Sequence, residues 1–100
     1  MTYSLIVEPA AEQDLHQAYR WYQKQRKGLG DEFLLEFDSS LSKICENPFA
    51  NLIIYKNVHR FLIRRFPYGI FYIVEGESIF IIAIQHKRRD PNSWKRRVPS

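Results

Sequence analysis

One hundred residues provide for one domain, residues 1–100, with a single core and no second lobe. Hydrophobic residues at 45% and aromatic residues at 15% suffice to fill that core and exclude a disordered chain. No apolar run approaches the roughly 20 residues of a membrane span, and no basic-then-apolar leader opens the sequence, so a soluble cytoplasmic protein with no membrane partner is expected. The net charge of +4 is unevenly spread: residues 1–50 hold five Lys/Arg against eight Asp/Glu, and residues 51–100 hold ten against three. The basic character therefore lies wholly in the second half, which points to nucleic acid or an acidic protein segment as partner.

The stretch "YSLIVE" is short and apolar enough for a strand, and it stops at Pro9, whose missing N–H costs nothing in the first turn of a helix. Ala11, Leu15, Ala18 and Tyr22 follow at spacings of four, three and four, the apolar stripe of an amphipathic helix. Glu12 and Asp14 near its start and Lys24, Arg26 and Lys27 near its end suit the helix dipole. Trp21 falls beside the stripe, as an anchor at the edge of the core. In "KGLGDEF", Gly28 and Gly30 are stop signals and Asp31 is the expected cap of a second helix. Phe33, Phe37, Leu41 and Ile44 carry the apolar face of that helix until Pro48 forbids continuation. So short a connection makes the two helices an antiparallel hairpin. Cys45, the single cysteine, has no partner for a disulfide and is expected to pack as a small apolar side chain.

From Tyr55 onward the texture is that of strands. "RFLIRRF", "YGIFYIVE" and "SIFIIAIQ" are rich in β-branched and aromatic residues and are separated by turn signals, Pro67 with Gly69 and then Gly76. Such short connections predict an antiparallel meander, with "IFIIAI" central and covered on both sides. "DPNSWKRR" reads as a terminal turn or short helix. The expected fold is α+β, ordered β-α-α-β-β-β, with the helical hairpin packed on one face of the meander.

The cations are expected to collect on the other face. Strand alternation puts Arg60 and Arg64 on one side and Arg65 on the opposite one, so at least one arginine faces away from the helices. Lys87, Arg88 and Arg89 follow the central strand, and Trp94, Lys95, Arg96 and Arg97 extend the same surface, which could seat phosphates or carboxylates in guanidinium forks. Tyr68 and Tyr72 either stack bases or pack in the core. Of the three histidines, His16 lies on the polar side of the first helix, and His59 begins a strand. His86 ends a strand beside three cations that favour its neutral form. It is the candidate acid or base for a phosphodiester. No nucleophile elbow, P-loop, Gly-rich dinucleotide turn or metal-ligand spacing is present, and neither metal nor cofactor is expected.

Several blocks together resemble one known superfamily: "DLHQAYRWYQKQRKGLGDEF" with Tyr22 and Gly28-Leu29-Gly30, "NPF", "RRFPYGIFYIVE", and "AIQHKRRDPNSWKRR" with His86, Arg88, Arg89, Asp90, Pro91 and Trp94. They are similar to the RelE/ParE superfamily, the toxic halves of bacterial type II toxin–antitoxin modules, also described as plasmid stabilization proteins, and the likeness spans nearly the whole chain. The resemblance implies a compact β-α-α-β-β-β domain and a small cognate antitoxin whose acidic segment wraps over the toxin. It also implies binding of promoter DNA through the antitoxin.

Targets differ within the superfamily. RelE-like members cleave messenger RNA on the ribosome with basic sheet residues and commonly a C-terminal tyrosine, or a histidine and tyrosine with a glutamate; ParE-like members poison DNA gyrase and lack the full nuclease set. No tyrosine follows Tyr72 here, and His86 alone is a thin set for a reaction that needs both a base and an acid. The reading favoured is therefore ParE-like, with a RelE-like nuclease as the alternative and a non-toxic, antitoxin-binding remnant as a third. For a nuclease, charge would assign His86 as acid or base and Arg60, Arg65 and Arg88 as phosphate stabilisers.

Overall fold

A computed structural model describes residues 3–99. Strand β1, Ser4–Val7, leads directly into helix α1, Pro9–Gln25, with Pro9 in the first turn as expected. Helix α2, Leu29–Glu46, returns antiparallel and buries Phe33, Phe37 and Ile44. The turn between them differs from the sequence reading. Gly28 is the residue before α2, at φ 90°, a backbone conformation that costs glycine nothing. Gly30 does not stop a helix; it lies within α2, where an added Cβ would fall 2.7 Å from the Tyr19 carbonyl oxygen and 2.6 Å from Gln23 Cγ. Its bare backbone lets the two helices close up, and its N–H donates to Gln23 Oε1 at 2.7 Å. Asp31 is consequently one of the acidic residues of the first turn and not the cap.

The sheet has five strands in the order β1-β5-β4-β3-β2. Beyond α2 these are β2 (Ile53–Tyr55), β3 (Val58–Leu62), β4 (Tyr68–Glu75) and β5 (Ser78–His86), followed by the short helix α3, Asn92–Lys95. The antiparallel meander is present but begins one strand early, at β2, and β1 joins the far side of β5 in parallel. β5 is thus interior, though β4 is the middle strand. β3 stops at Leu62, sooner than "RFLIRRF" suggested, and Arg65 sits in the following turn at φ 73°. Alternation fails there, and Ile63 and Phe66 both turn into the core under the helices.

Both sheet faces are covered. Between hairpin and sheet lie Phe33, Phe37, Ile44, Ile70, Tyr72, Ile79, Ile81 and Ile84; on the opposite face Val58, Phe71, Ile73, Ile82 and Ala83 pack beneath Trp94 of α3. That second face is therefore a smaller apolar core in its middle, and not the bare cationic surface expected from the sequence. Cys45 packs, partly buried, against the first core.

A bulge in β5 decides what reaches the end of the sheet. Phe71 pairs with Ala83 and Tyr72 with Ile81, so Ile82 is an extra residue. Before it, odd-numbered isoleucines face the hairpin; after it, Ile84 does. His86 follows Ile84 on the hairpin face, while Gln85 turns to the α3 face, where its Oε1 accepts from the Ser93 hydroxyl.

The same stretch of β5 outruns its neighbour. Pairing with β1 ends where the Glu8 N–H donates to the Ile81 carbonyl. Asp14 and Arg97 then take over that edge. Asp14 Oδ2 accepts the Ile84 N–H at 3.0 Å and Arg97 Nη1 at 2.6 Å, Asp14 Oδ1 accepts Arg97 Nη2 at 3.1 Å, and Arg97 Nη1 also donates to the Ile82 carbonyl at 3.0 Å. Asp14 is buried, and is no free helix-dipole charge. Arg97 is committed to it, which removes Arg97 from the target-binding patch. Replacing Asp14 by Ala strands a half-buried guanidinium and should cost about 3 kcal/mol in urea unfolding. Arg97→Ala should cost a similar amount, and the double variant less than the sum. Strictly additive losses would show that the two side chains do not act as a unit.

Candidate functional site

The basic run after β5 is held in a compact turn. Lys87 N–H donates to the Pro67 carbonyl at 2.9 Å, Arg89 N–H to the His86 carbonyl at 2.9 Å, and Asp90 Oδ1 accepts the Asn92 N–H at 3.0 Å. Lys87, Arg88 and Arg89 are exposed. His86 is oriented from its own turn: the Arg88 N–H donates to Nδ1 at 3.0 Å, and the ring meets Tyr68 edge-on at 5.5 Å. With Nδ1 engaged as acceptor, the neutral ring carries its proton on Nε2 and presents a donor outward.

Beside it, between α1 and the end of β5, lies a hollow of about 560 Å³ whose walls include Trp21, Tyr22, Tyr68, His86 and Arg89. Trp21 is 54% exposed and meets Tyr22 edge-on at 5.1 Å, so it is a projecting wall and not only an edge of the core. Burial pushes the Tyr22 phenol up to about 12, with the neighbouring Tyr68 adding to the effect. Burial also raises Tyr68, against the pull of the nearby Arg89 guanidinium. Neither hydroxyl is poised to exchange a proton near neutral pH.

The remaining cations are scattered. Arg60 lies on the α3 face, its stem laid along Gly69, where an added Cβ would come within 3.2 Å of Arg60 Cγ. Arg65 turns the other way and pairs with Glu32 Oε1 at 2.9 Å; Arg26 holds Oε2 at 3.0 Å. Those hydrogen bonds, Arg65 foremost, hold the Glu32 carboxyl below the usual carboxylate range. Arg64 is exposed in the turn. Lys95 lies over the Tyr55 ring at 4.9 Å, and exposed Arg96 donates to the Asn92 carbonyl. Trp94, placed with the binding surface by the sequence, is instead buried and stacked on Phe71 at 4.6 Å. Tyr72 is no stacking platform: it is fully buried, donates to the Pro48 carbonyl at 2.7 Å and stacks on His59, which is buried too. Of the proposed nuclease set, His86 and Arg88 are neighbours, whereas Arg60 and Arg65 lie on opposite faces of the sheet. The sequence reading sets Trp21 at the edge of the core and leaves Tyr68 between stacking bases and packing in the core. Their wall-forming role depends on the bulge that brings His86 to the same face, and periodicity carries no sign of it.

A helical hairpin on one face of this five-stranded sheet defines a small α+β toxin fold of the RelE/ParE type. A chain of the chromosomal ParDE toxin–antitoxin system of P. aeruginosa superposes with a TM-score of 0.75 at 19% identity, covering 85% of this chain and 96% of that one. A mutant of the E. coli toxin RelE in the free state gives 0.63 at 17% identity, covering 99% and 100%. In sequence, the chain is similar to Toxin ParE2 of Mycobacterium tuberculosis, 29% identical over 94 residues, 93% of this chain and 90% of the relative. Residues 5–91 match the family described as the ParE toxin of the type II toxin–antitoxin system, parDE, and the chain belongs to that family. It is the toxin component of such a module, with a cognate antitoxin as its partner. Among the described residues, no helix is long and apolar enough to cross a membrane.

The buried phenols make stability fall at high pH. A tyrosine raised from 10 to about 12 keeps its proton in the fold while the unfolded chain releases it, so stability present below pH 10 is lost as pH climbs through that window. Urea unfolding should be flat up to about pH 9 and decline beyond about pH 10, less steeply for Tyr22→Phe. An unchanged slope in Tyr22→Phe would remove Tyr22 as a source.

Proposed function

We propose that this ParE-family toxin acts by binding DNA gyrase in the cytoplasm and not by cleaving RNA. An acidic segment of its antitoxin silences it, and that antitoxin carries the pair to promoter DNA. The observation that supports this most is the dispersal of the nuclease candidates. Arg60 and Arg65 sit on opposite sheet faces, Arg65 is tied to Glu32, and the Nδ1 lone pair of His86 is occupied by the Arg88 N–H. A phosphodiester transfer needs a base for the attacking hydroxyl and an acid for the leaving oxygen around one phosphate. Burial makes the phenols beside His86 weaker acids than a free tyrosine, which argues against either as an efficient proton-transfer partner for it. Lys87, Arg88 and Arg89, fixed in a turn on the sheet's end, instead suit recognition of an acidic protein surface.

Pulse induction in a bacterial host, with thymidine and methionine incorporation followed in parallel, tests the proposal. DNA synthesis is expected to stop first, and His86→Ala is expected to keep its toxicity. Early arrest of translation, together with loss of toxicity in His86→Ala at retained fold, would establish the nuclease instead. Removing the charges of Arg88, Arg89 and Arg96 should weaken gyrase binding and its salt dependence together. Arg97 is excluded from that set because its loss unsettles the fold.

A further inference from the structure

The hollow between α1 and the end of β5 shares Arg89 with the exposed basic turn, and the rest of its lining has a chemistry of its own. Four aromatic rings, Trp21, Tyr22, Tyr68 and His86, stand at its walls, with Trp21 more than half exposed. Its volume of about 560 Å³ falls within the range of small-molecule sites. Arg89 is the cation of the lining, and Lys87 and Arg88 precede it on the same turn. Asp14 is the one carboxylate of the lining, and both its oxygens are already engaged by Arg97 and the Ile84 N–H, so no free carboxylate opposes an anion there.

The backbone adds a third kind of recognition. Ile82 presents its carbonyl, and Ile84 its N–H, to the edge that β1 has left, where Arg97 and Asp14 meet them. Strand geometry turns the N–H and C=O of one residue to the same side and repeats every second residue, so the Ile84 carbonyl and the His86 N–H face that edge as well. They form one acceptor and one donor, two residues apart, where no strand follows. The His86 carbonyl is closed off by the Arg89 N–H. A single donor–acceptor pair is too little for an added strand of a partner, which would need a continuing edge. It matches the Watson–Crick edge of adenine, whose exocyclic amine donates and whose adjacent ring nitrogen accepts.

We propose that this hollow binds an adenine nucleotide, with the base stacked against the Trp21 and His86 rings, its edge on the Ile84 carbonyl and His86 N–H, and its phosphate on Arg89. The site is independent of which cellular target the toxin poisons. The nucleotide is either free or an unpaired residue of a strand, and both present the same chemistry. Asp14, by tying α1 and the C-terminal segment to β5, builds the floor of the site without touching the ligand.

The full-length toxin titrated with AMP and followed by NMR tests this, because its two tryptophans report separately. The indole N–H of Trp21 should shift at millimolar AMP while that of Trp94, buried on the opposite sheet face, stays still. Adenosine, inorganic phosphate and the purine nucleotide lacking the 6-amino group should each bind about tenfold more weakly, and Trp21→Ala and Arg89→Ala should each cost about tenfold, the size expected for one lost stacking or charge contact. Both replaced side chains are exposed, and unchanged spectra elsewhere confirm the fold. Short oligo(A) and oligo(dA) binding no tighter than AMP would identify a free nucleotide; tighter binding would identify a strand residue. A silent Trp21 resonance, equal responses to AMP and phosphate, or full affinity in Trp21→Ala overturns the proposal. So does a Trp21 shift produced by an acidic aromatic peptide but not by AMP, which would make the hollow a protein-docking notch.

Discussion

Everything at the functional end of this protein depends on how the last residues of β5 are held after β1 has stopped. An interior strand that loses its neighbour exposes peptide groups at the edge of a core, where each unsatisfied group is expensive. Asp14 from α1 and Arg97 from beyond α3 replace the missing strand, one accepting the Ile84 N–H and the other donating to the Ile82 carbonyl, while their mutual charge is neutralised. A carboxylate alone at that depth would be costly, and so would the guanidinium; each makes the other tolerable. The pair fastens three segments remote in sequence, and the basic turn after His86 is built on what it fastens.

This arrangement explains why the charge of the second half is less available than composition implies. Arg97 serves the fold, Arg65 is shared with Glu32 and Arg26, and Lys95 lies over Tyr55. What remains free around His86 is the short run Lys87, Arg88 and Arg89, presented by a turn that is hydrogen-bonded at each end. A small rigid cluster of this kind orients a partner, whereas an equal number of cations spread over the surface would attract one without orienting it.

The helical hairpin was legible in the sequence because both helices are long enough for their apolar spacing to repeat, and the stripe residues Ala11, Ala18, Tyr22, Phe33, Phe37 and Ile44 are all buried. β2 was not legible: three residues cannot display a period, and Ile53 is largely exposed on an edge. "RFLIRRF" misled because Ile63 and Phe66 are apolar for the sake of the core and not of a strand. Asp14 and Arg97 are separated by most of the chain, so no local pattern pairs them. Trp94 was grouped with its charged neighbours, although a tryptophan among cations in a short helix is the residue that seals the second core. The basic end of β5, the family features and the α+β class were readable; the faces on which individual cations lie were not.

The extra residue at Ile82 makes β5 two half-strands set out of phase with one another. From Ser78 to Ile81 the rule for what faces the helices is the opposite of the rule from Ala83 to His86. The first half is bound to β1 and to the hydrophobic demands of the core; the second presents its side chains to the hollow and the basic turn. A phase break of this kind separates the two tasks on a single strand: regular pairing through that point, with Ile82 opposite Phe71, would leave the composition unchanged, yet slide every later residue by one place and turn His86 to the α3 face and Gln85 toward the helices.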